Sequence, residues 1–239
     1  MAVLFQQDQF KSCFRNNSSN LGQVCDAKFG DFRKAFLGVH KGRSEAEKAG
    51  LLINQNNIKI DFYYSSLQLR ANNTLRIIQR VLSDEKKFVK AWQLNERHYG
   101  ALTGLSKMEM IQKMGEDKIH KFRRSWDIKP EPLDIESPYH PSKIEAYRDL
   151  PKAILPSTES LKDTYERVIN FFKDKVQKNL IKENVLISAH GNSIRALCKY
   201  LFELDNDQIS GLEIPTGNPL IIEFDKEMKI KSCEYLDKE

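Results

Sequence analysis

The chain has 239 residues, of which 40% are hydrophobic and 30% charged, with a formal net charge of +5 at pH 7. That length fits one large α/β domain, with no linker-like stretch arguing for two, and the mild, scattered charge suits an acidic small molecule rather than nucleic acid. No apolar run reaches the roughly 18 residues of a membrane span, and the start lacks the charged and then apolar layout of a signal peptide, so a cytoplasmic protein without membrane attachment is expected.

Residues 1–40 are the least legible. Ala2-Val3-Leu4-Phe5 has the composition of a short strand, but Phe10 to Asn20 is polar and asparagine-rich, with neither helical nor strand period. From Lys41 the text becomes regular. Ser44 and Glu47 form a capping box that predicts a helix start, followed by Ala46, Ala49, Leu51 and Leu52. Ile58 to Tyr64 alternates and is rich in β-formers, hence a strand. After Ser65-Ser66 a second helix is expected, with Leu69, Leu75, Ile78, Val81 and Leu82 on one face and Arg70 and Thr74 four residues apart on one side. Phe88 to Leu94 reads as the next strand.

Asn95-Glu96-Arg97-His98-Tyr99-Gly100 follows, with a carboxylate, a guanidinium, an imidazole and a phenol packed between a strand and a glycine. Its plain reading is a surface ion pair between Glu96 and Arg97, worth little. Its functional reading is a general acid/base carboxylate beside an anion-binding fork. Ser106 and Glu109 make another capping box, which places Lys107 in a first helical turn. Arg123 and Arg124 are adjacent cations whose repulsion a bound phosphate relieves; a solvated helix end is the alternative.

Six of the eight prolines lie between Lys129 and Pro156, which rules out a continuous helix or central strand and predicts a long surface excursion of the kind that often covers a site. Glu159 to Leu180 is amphipathic, with Leu161, Tyr165, Val168, Ile169, Phe172 and Val176 toward the core. Val185 to Ala189 then reads as a strand buried on both faces, broken by His190-Gly191-Asn192-Ser193 and followed by Ile194, Leu197, Leu201 and Leu204 at helical spacing. A strand, a glycine-bearing turn and a helix put free N–H groups at the carboxyl edge of a sheet, where anions bind. A histidine there can hold or transfer a phosphoryl group, although a loop histidine satisfied by backbone fits the same text. Pro219 to Phe224 is a further strand. Alternating strands and helices predict a three-layer α/β/α domain with a mostly parallel central sheet.

The segments LNERHYG (94–100), GLSK (104–107), RRSWD (123–127), PSTESLKDTYERV (156–168), ISAHGNSIRAL (187–197) and IPTGNPL (214–220) closely resemble the cofactor-dependent phosphoglycerate mutase and bisphosphoglycerate mutase family of the histidine phosphatase superfamily. The resemblance runs in order from about Lys41 to Phe224. It implies interconversion of 3-phosphoglycerate and 2-phosphoglycerate in glycolysis through a phosphohistidine, with 2,3-bisphosphoglycerate as phosphoryl primer and no metal. Under it, Glu96 and His190 are catalytic. Arg70, Arg97, His98, Tyr99, Lys107, Arg123 and Arg124 bind the substrate phosphate and carboxylate, together with Gly191 and Asn192. Small-molecule phosphoglycerates are then the partners, and a homodimer is compatible with the family. Four cysteines without paired spacing also leave no zinc motif.

One departure is large. Family members begin with a strand ending in Arg-His-Gly-Glu-Ser, whose histidine is phosphorylated. The five histidines here are His40, His98, His120, His140 and His190, and none lies in such a motif. Counting back from KGRSEAEKAG (41–50) places it near Ser18-Ser19-Asn20, and without a nucleophile the covalent route loses its first step. Three explanations compete: a wrong-frame or wrong-exon translation of the first 40 residues, a pseudoenzyme that binds phosphoglycerates or a protein partner without turnover, and a substitute nucleophile such as His190. The domain division expected is an atypical segment over 1–40 and a mutase-like domain over 41–239. With Cys13 to Asn17 a poor central strand, the region before Lys41 is expected to be perturbed and the fold less stable.

Overall fold

The computed structural model describes residues 1–6 and 29–238. In chain order the main elements are β1 (Ala2–Gln6), α1 (Phe29–Gln55), β2 (Phe62–Ser66), α2 (Leu69–Val81), β3 (Val89–Ala91), α3 (Lys107–Met114) and α4 (Glu116–Arg124). They continue with α5 (Leu161–Phe171), α6 (Gln177–Leu180), β4 (Val185–Ala189), α7 (Gly191–Leu201), α8 (Asn206–Gly211), β5 (Leu220–Phe224) and β6 (Ile230–Tyr235). The six strands form one sheet in the order β3-β2-β4-β1-β5-β6. The pairs β1–β4, β2–β4 and β2–β3 are parallel, and β5 runs antiparallel to both β1 and β6. The sheet is mixed, with a parallel half that carries His190.

Period-two alternation along the central strands splits the core into two layers. Val3, Tyr63, Leu186 and Ile221 face α1 and α2, meeting Ala49, Ile53, Leu75 and Ile78. Leu4, Tyr64, Val185, Ile187 and Ile222 face the other way, against Val168, Ile169, Phe172, Ile194 and Leu197 of α5 to α7. A third small cluster, Leu102, Met110, Ile119 and Phe122, holds the α3–α4 hairpin beside Tyr99. No helix among the described residues is long and apolar enough to cross a membrane.

The expectation of a sheet without a proper first strand is overturned. Ala2, Val3 and Leu4 are fully buried and pair with β4 on one side and β5 on the other, from Ala2 opposite Val185 to Gln6 opposite Ala189. The central slot is filled by the short apolar run at the first residues of the chain. β4 continues from Ala189 into His190, and β1 continues in sequence from Gln6 into Gln7 and Asp8. Residues 13–17 and 18–20 lie outside the described residues.

Other boundaries also move. α1 starts at Phe29 rather than Ser44, and it runs unbroken through positions 40 and 41. Inside that helix Glu47 accepts from Arg43 Nε at 3.1 Å, one turn earlier, instead of capping Ser44. β2 extends through Ser65 and Ser66, both fully buried, which had read as a break. Only Val89–Ala91 of the run from Phe88 to Leu94 is strand, because Trp92–Leu94 turns as a 3₁₀ helix. The helix from Glu159 is α5, capped by Ser160, and it passes through a π-turn at Phe172–Val176 into α6. The proline-rich excursion carries only short 3₁₀ turns, and it folds back on the carboxyl edge of the sheet. There Glu131 O accepts from Ala101 N at 2.8 Å, and Gln68 Nε2 donates to Tyr147 Oη at 3.4 Å.

Candidate active site

Four segments converge at the carboxyl edge of the parallel strands: the end of β2 with the start of α2, the 95–100 turn after β3, the end of α4, and the β4–α7 junction. His190 follows β4 in extended conformation, and Gly191 opens α7. The junction is stitched to the 95–100 turn by Ser193, whose Oγ lies 2.7 Å from Asn95 O and 3.0 Å from Leu94 O. Asn95 Oδ1 in turn accepts from Leu67 N at 2.9 Å, tying the same turn to the β2–α2 junction.

His190 has no solvent exposure. Its Nε2 lies 2.8 Å from Ser66 Oγ, and its Nδ1 accepts from Arg70 Nε at 3.1 Å. Burial, then the positive charges of Arg70 and Arg167, hold its pKa well below the ordinary histidine value. The ring is neutral at physiological pH.

Glu96 lies across the α7 N-terminus. Its Oε1 accepts from Arg97 N at 2.9 Å, Asn192 N at 3.3 Å and Asn192 Nδ2 at 3.0 Å. Helix N-termini favour anions in this position. Asn192 Nδ2 also donates to Tyr99 Oη at 3.0 Å, and Asn192 Oδ1 accepts from Arg195 Nη1 at 2.8 Å. Arg97 is 2% exposed, lies 4.7 Å from the Tyr99 ring centre, and spends Nη2 on Phe122 O at 2.7 Å. Its Nε and Nη1 are buried with no hydrogen-bond partner among the described residues, as is Arg124 Nη1. Buried donors left unpaired are costly, and an oxyanion would satisfy them.

The remaining expected residues divide. Arg123 lies 5.9 Å from the Tyr99 ring centre, and Arg124 pairs with Glu213. Arg195, which the sequence did not single out, joins this group: burial and then the neighbouring Arg124 disfavour its charge, so cations crowd here. His98 serves its own turn, because its Nδ1 accepts from Gly100 N at 3.0 Å. Lys107 opens α3 as expected from the Ser106 cap, while its side chain lies outside the described residues.

Three further participants escaped sequence reasoning. Ser66 buttresses His190. Glu159 and Arg167 form a buried bidentate pair at 2.6 and 2.9 Å, and together they grip the 93–98 segment. Arg167 Nη1 donates to Gln93 O at 2.5 Å, Glu159 Oε2 accepts from His98 N at 2.8 Å, and Glu159 N donates to His98 O at 2.9 Å. No group of three or more His, Cys, Asp or Glu among the described residues is arranged to hold a metal.

At this edge of the three-layer α/β sheet a buried histidine, a carboxylate on a helix N-terminus and buried, incompletely paired arginines stand together. Comparison with known proteins shows the family of the chain. The model of the histidine phosphatase superfamily (branch 1) matches residues 39–141 and 134–233. The 2,3-bisphosphoglycerate-dependent phosphoglycerate mutase of Pelagibacter ubique is 62% identical over 200 residues, covering 83% of this chain and 84% of that protein. The protein of the same name from Borreliella burgdorferi is 47% identical over 201 residues, covering 83% and 81%. Among solved structures, Bacillus stearothermophilus YhfR has a TM-score of 0.60 at 18% identity, covering 96% of this chain and 93% of its own. The α-ribazole phosphatase of Shigella flexneri has a TM-score of 0.60 at 14% identity, covering 95% and 92%; these two likenesses speak for the fold. The chain belongs to the 2,3-bisphosphoglycerate-dependent phosphoglycerate mutase family of the histidine phosphatase superfamily.

Proposed function

We propose that this edge is a phosphoglycerate site of the mutase type, built to interconvert 3-phosphoglycerate and 2-phosphoglycerate, and that the chain as written keeps its binding and acid–base parts without the nucleophile. The observation that carries the reading is the buried Arg97, with Nε and Nη1 unpaired among the described residues, beside a Glu96 carboxylate held on the α7 N-terminus. A phosphorylated hydroxy acid supplies the oxygens that these donors lack. In this reading Arg97, Arg123, Arg124 and Tyr99 bind the acid's charged groups, Arg70 meets the phosphoryl oxygens beside His190, and Glu96 exchanges a proton with the substrate hydroxyl. The same donors suit 2,3-bisphosphoglycerate, which when bound supplies the phosphoryl group. Closure of the cycle requires a second histidine near His190. β1 is followed in sequence by Gln7, Asp8 and Gln9, and no histidine precedes His40.

That absence favours a second reading, a pseudoenzyme that binds phosphoglycerates or a protein partner without turnover. A mutase assay on the chain as written, primed with 2,3-bisphosphoglycerate, is expected to show little or no activity. 3-Phosphoglycerate is expected to raise its melting temperature, and Arg123→Ala to abolish that rise. No stabilisation by any phosphoglycerate overturns the binding reading, and robust turnover overturns the loss of the nucleophile. Mass spectrometry of the native protein decides whether residues 1–40 are its true start, because an intact terminus with this sequence rejects a wrong-frame origin.

A further inference from the structure

His190 is held from two opposite sides. Arg70 Nε–H can only donate, so Nδ1 at 3.1 Å is the unprotonated nitrogen. The ring hydrogen therefore sits on Nε2 and is donated to Ser66 Oγ at 2.8 Å. Ser66 Oγ also accepts from Gln68 N at 3.1 Å, and Ser66 O accepts from Asn72 Nδ2 at 3.0 Å, which pins the serine at the β2–α2 junction. The nitrogen facing the serine thus points into the sheet, and the bare nitrogen points at Arg70.

A fully ionised oxyanion such as sulfate arriving beside Arg70 offers acceptors only, so the ring can meet it only with a hydrogen on Nδ1. Moving the existing hydrogen across the ring reverses the Ser66 contact, because the hydroxyl must then turn to donate to Nε2 while it still accepts from Gln68 N. Taking a second hydrogen from solvent keeps the Ser66 contact and sets an imidazolium against the anion's charge. We infer that Ser66 and Arg70 act together as positioning residues that keep Nε2 protonated, so that binding of an oxyanion at His190 draws one proton from solvent onto Nδ1.

The groups that bear on the ring fit this coupling. Arg70 of α2 and Arg167 of α5 oppose a charged ring while no anion is present. Glu96, from the turn after β3, reaches the first turn of α7 through Asn192, and Arg195 of α7 bonds the same asparagine. The anion's charge is what tips this balance. The coupling rests on reading this edge as an anion site, whereas the role of Ser66 stands in the ligand-free protein.

Nitrogen NMR of the full ¹⁵N-histidine-labelled chain tests the serine first. His190 is expected to show a protonated Nε2 and a bare Nδ1, Ser66→Ala a mixture of tautomers, and Ser66→Thr, which keeps the hydroxyl, the original pattern. An Nδ1–H tautomer in the unaltered protein, or an unchanged ring in folded Ser66→Ala, overturns the assignment. Calorimetry with inorganic sulfate near pH 7.5, in buffers of different ionisation enthalpy, tests the coupling. About one proton should be taken up per anion bound, falling to half or less in Ser66→Ala. Sulfate binding without proton uptake overturns the coupling. Failure of sulfate to bind overturns it together with the proposed function, and the ligand-free spectra distinguish that outcome from failure of the serine's role.

Discussion

Asn192 grips Glu96 twice, with its backbone N–H 3.3 Å and its side-chain amide 3.0 Å from the same Oε1. The second contact uses an amide that also donates to Tyr99 and accepts from Arg195. One side chain thus aligns the proposed acid–base carboxylate with the phenol and a guanidinium.

Asn192→Ala should leave the Arg195 guanidinium and the Tyr99 hydroxyl short of a partner as well as loosening Glu96. Loss of buried hydrogen bonds to charged groups of this kind costs about 1–3 kcal/mol. Urea denaturation of the full chain measures it. Asn192→Asp should cost more, because it sets a second carboxylate against Glu96. A cost within error for both variants would show that the contact contributes nothing to the site.

Acid should destabilise the fold through His190. Its folded-state pKa lies well below the ordinary 6.5, first from burial and then from Arg70 and Arg167. The unfolded chain therefore binds the extra proton at higher pH than the folded one, and stability rises with pH wherever that difference exists. The contribution is fully present above pH 6.5 and is lost as pH falls below it toward the folded-state value. His98, lowered chiefly by burial, adds to the same trend. Melting temperature measured between pH 5 and pH 8 should fall on the acid side, and His190→Gln should flatten that slope. An equally steep slope in the variant would assign the effect to other groups.

Among the described residues, Glu159 and Arg167 make the ion pair whose removal should be most costly. Both side chains are under a tenth exposed, and their hydrogen bonds converge on Gln93 and His98, either side of Glu96. Removing one partner of a buried pair strands the other charge, at about 3–5 kcal/mol. Arg167→Met alone should approach that cost, whereas Arg167→Met with Glu159→Gln should recover part of it. A denaturant double-mutant cycle reads the coupling directly, and additive single effects would deny that the two act as a unit.

What the sequence displays best is chemistry concentrated in one stretch. Glu96, Arg97 and Tyr99 stand within one turn, and His190, Gly191 and Asn192 lie at a break between a strand and a helix, so their meeting at a sheet edge was legible. Ser66, Arg195, Glu159 and Arg167 were not, because each occupies an ordinary position in a regular element and gains its role from a partner distant in sequence. Ser66 falls beyond the expected strand, and nothing local announces that its hydroxyl meets a histidine 124 residues away. The first strand was misplaced for a different reason. Ala2 to Leu4 carried the apolar signal, and these residues are buried between β4 and β5, but spacing measured from Lys41 drew attention to residues further along the chain. The start of α1 was lost because a capping box is a local pattern that a longer helix can absorb.

The covering excursion depends on one backbone position. Gly100 has φ of +53°, and a Cβ there would stand 2.1 Å from Glu131 O and 2.8 Å from Thr158 Oγ1. Glu131 O is also the acceptor for Ala101 N at 2.8 Å, so the clash falls on the hydrogen bond that seats the excursion on the turn after Glu96. Gly115 offers the comparison: its φ is +81°, yet nothing lies within 4 Å of its added Cβ. Gly115→Ala should incur backbone strain alone, about 1–3 kcal/mol. Gly100→Ala carries its own positive-φ strain and must in addition displace backbone, so it should be the more destabilising of the two and should unseat residues 129–156. Hydrogen exchange followed by mass spectrometry should then show faster exchange at Ala101 and Leu133, whose N–H groups bond Glu131 O and Ser157 O, with β2 and β4 unchanged. Equal melting temperatures for the two variants, with unchanged exchange at those amides, would remove the excursion's dependence on this glycine.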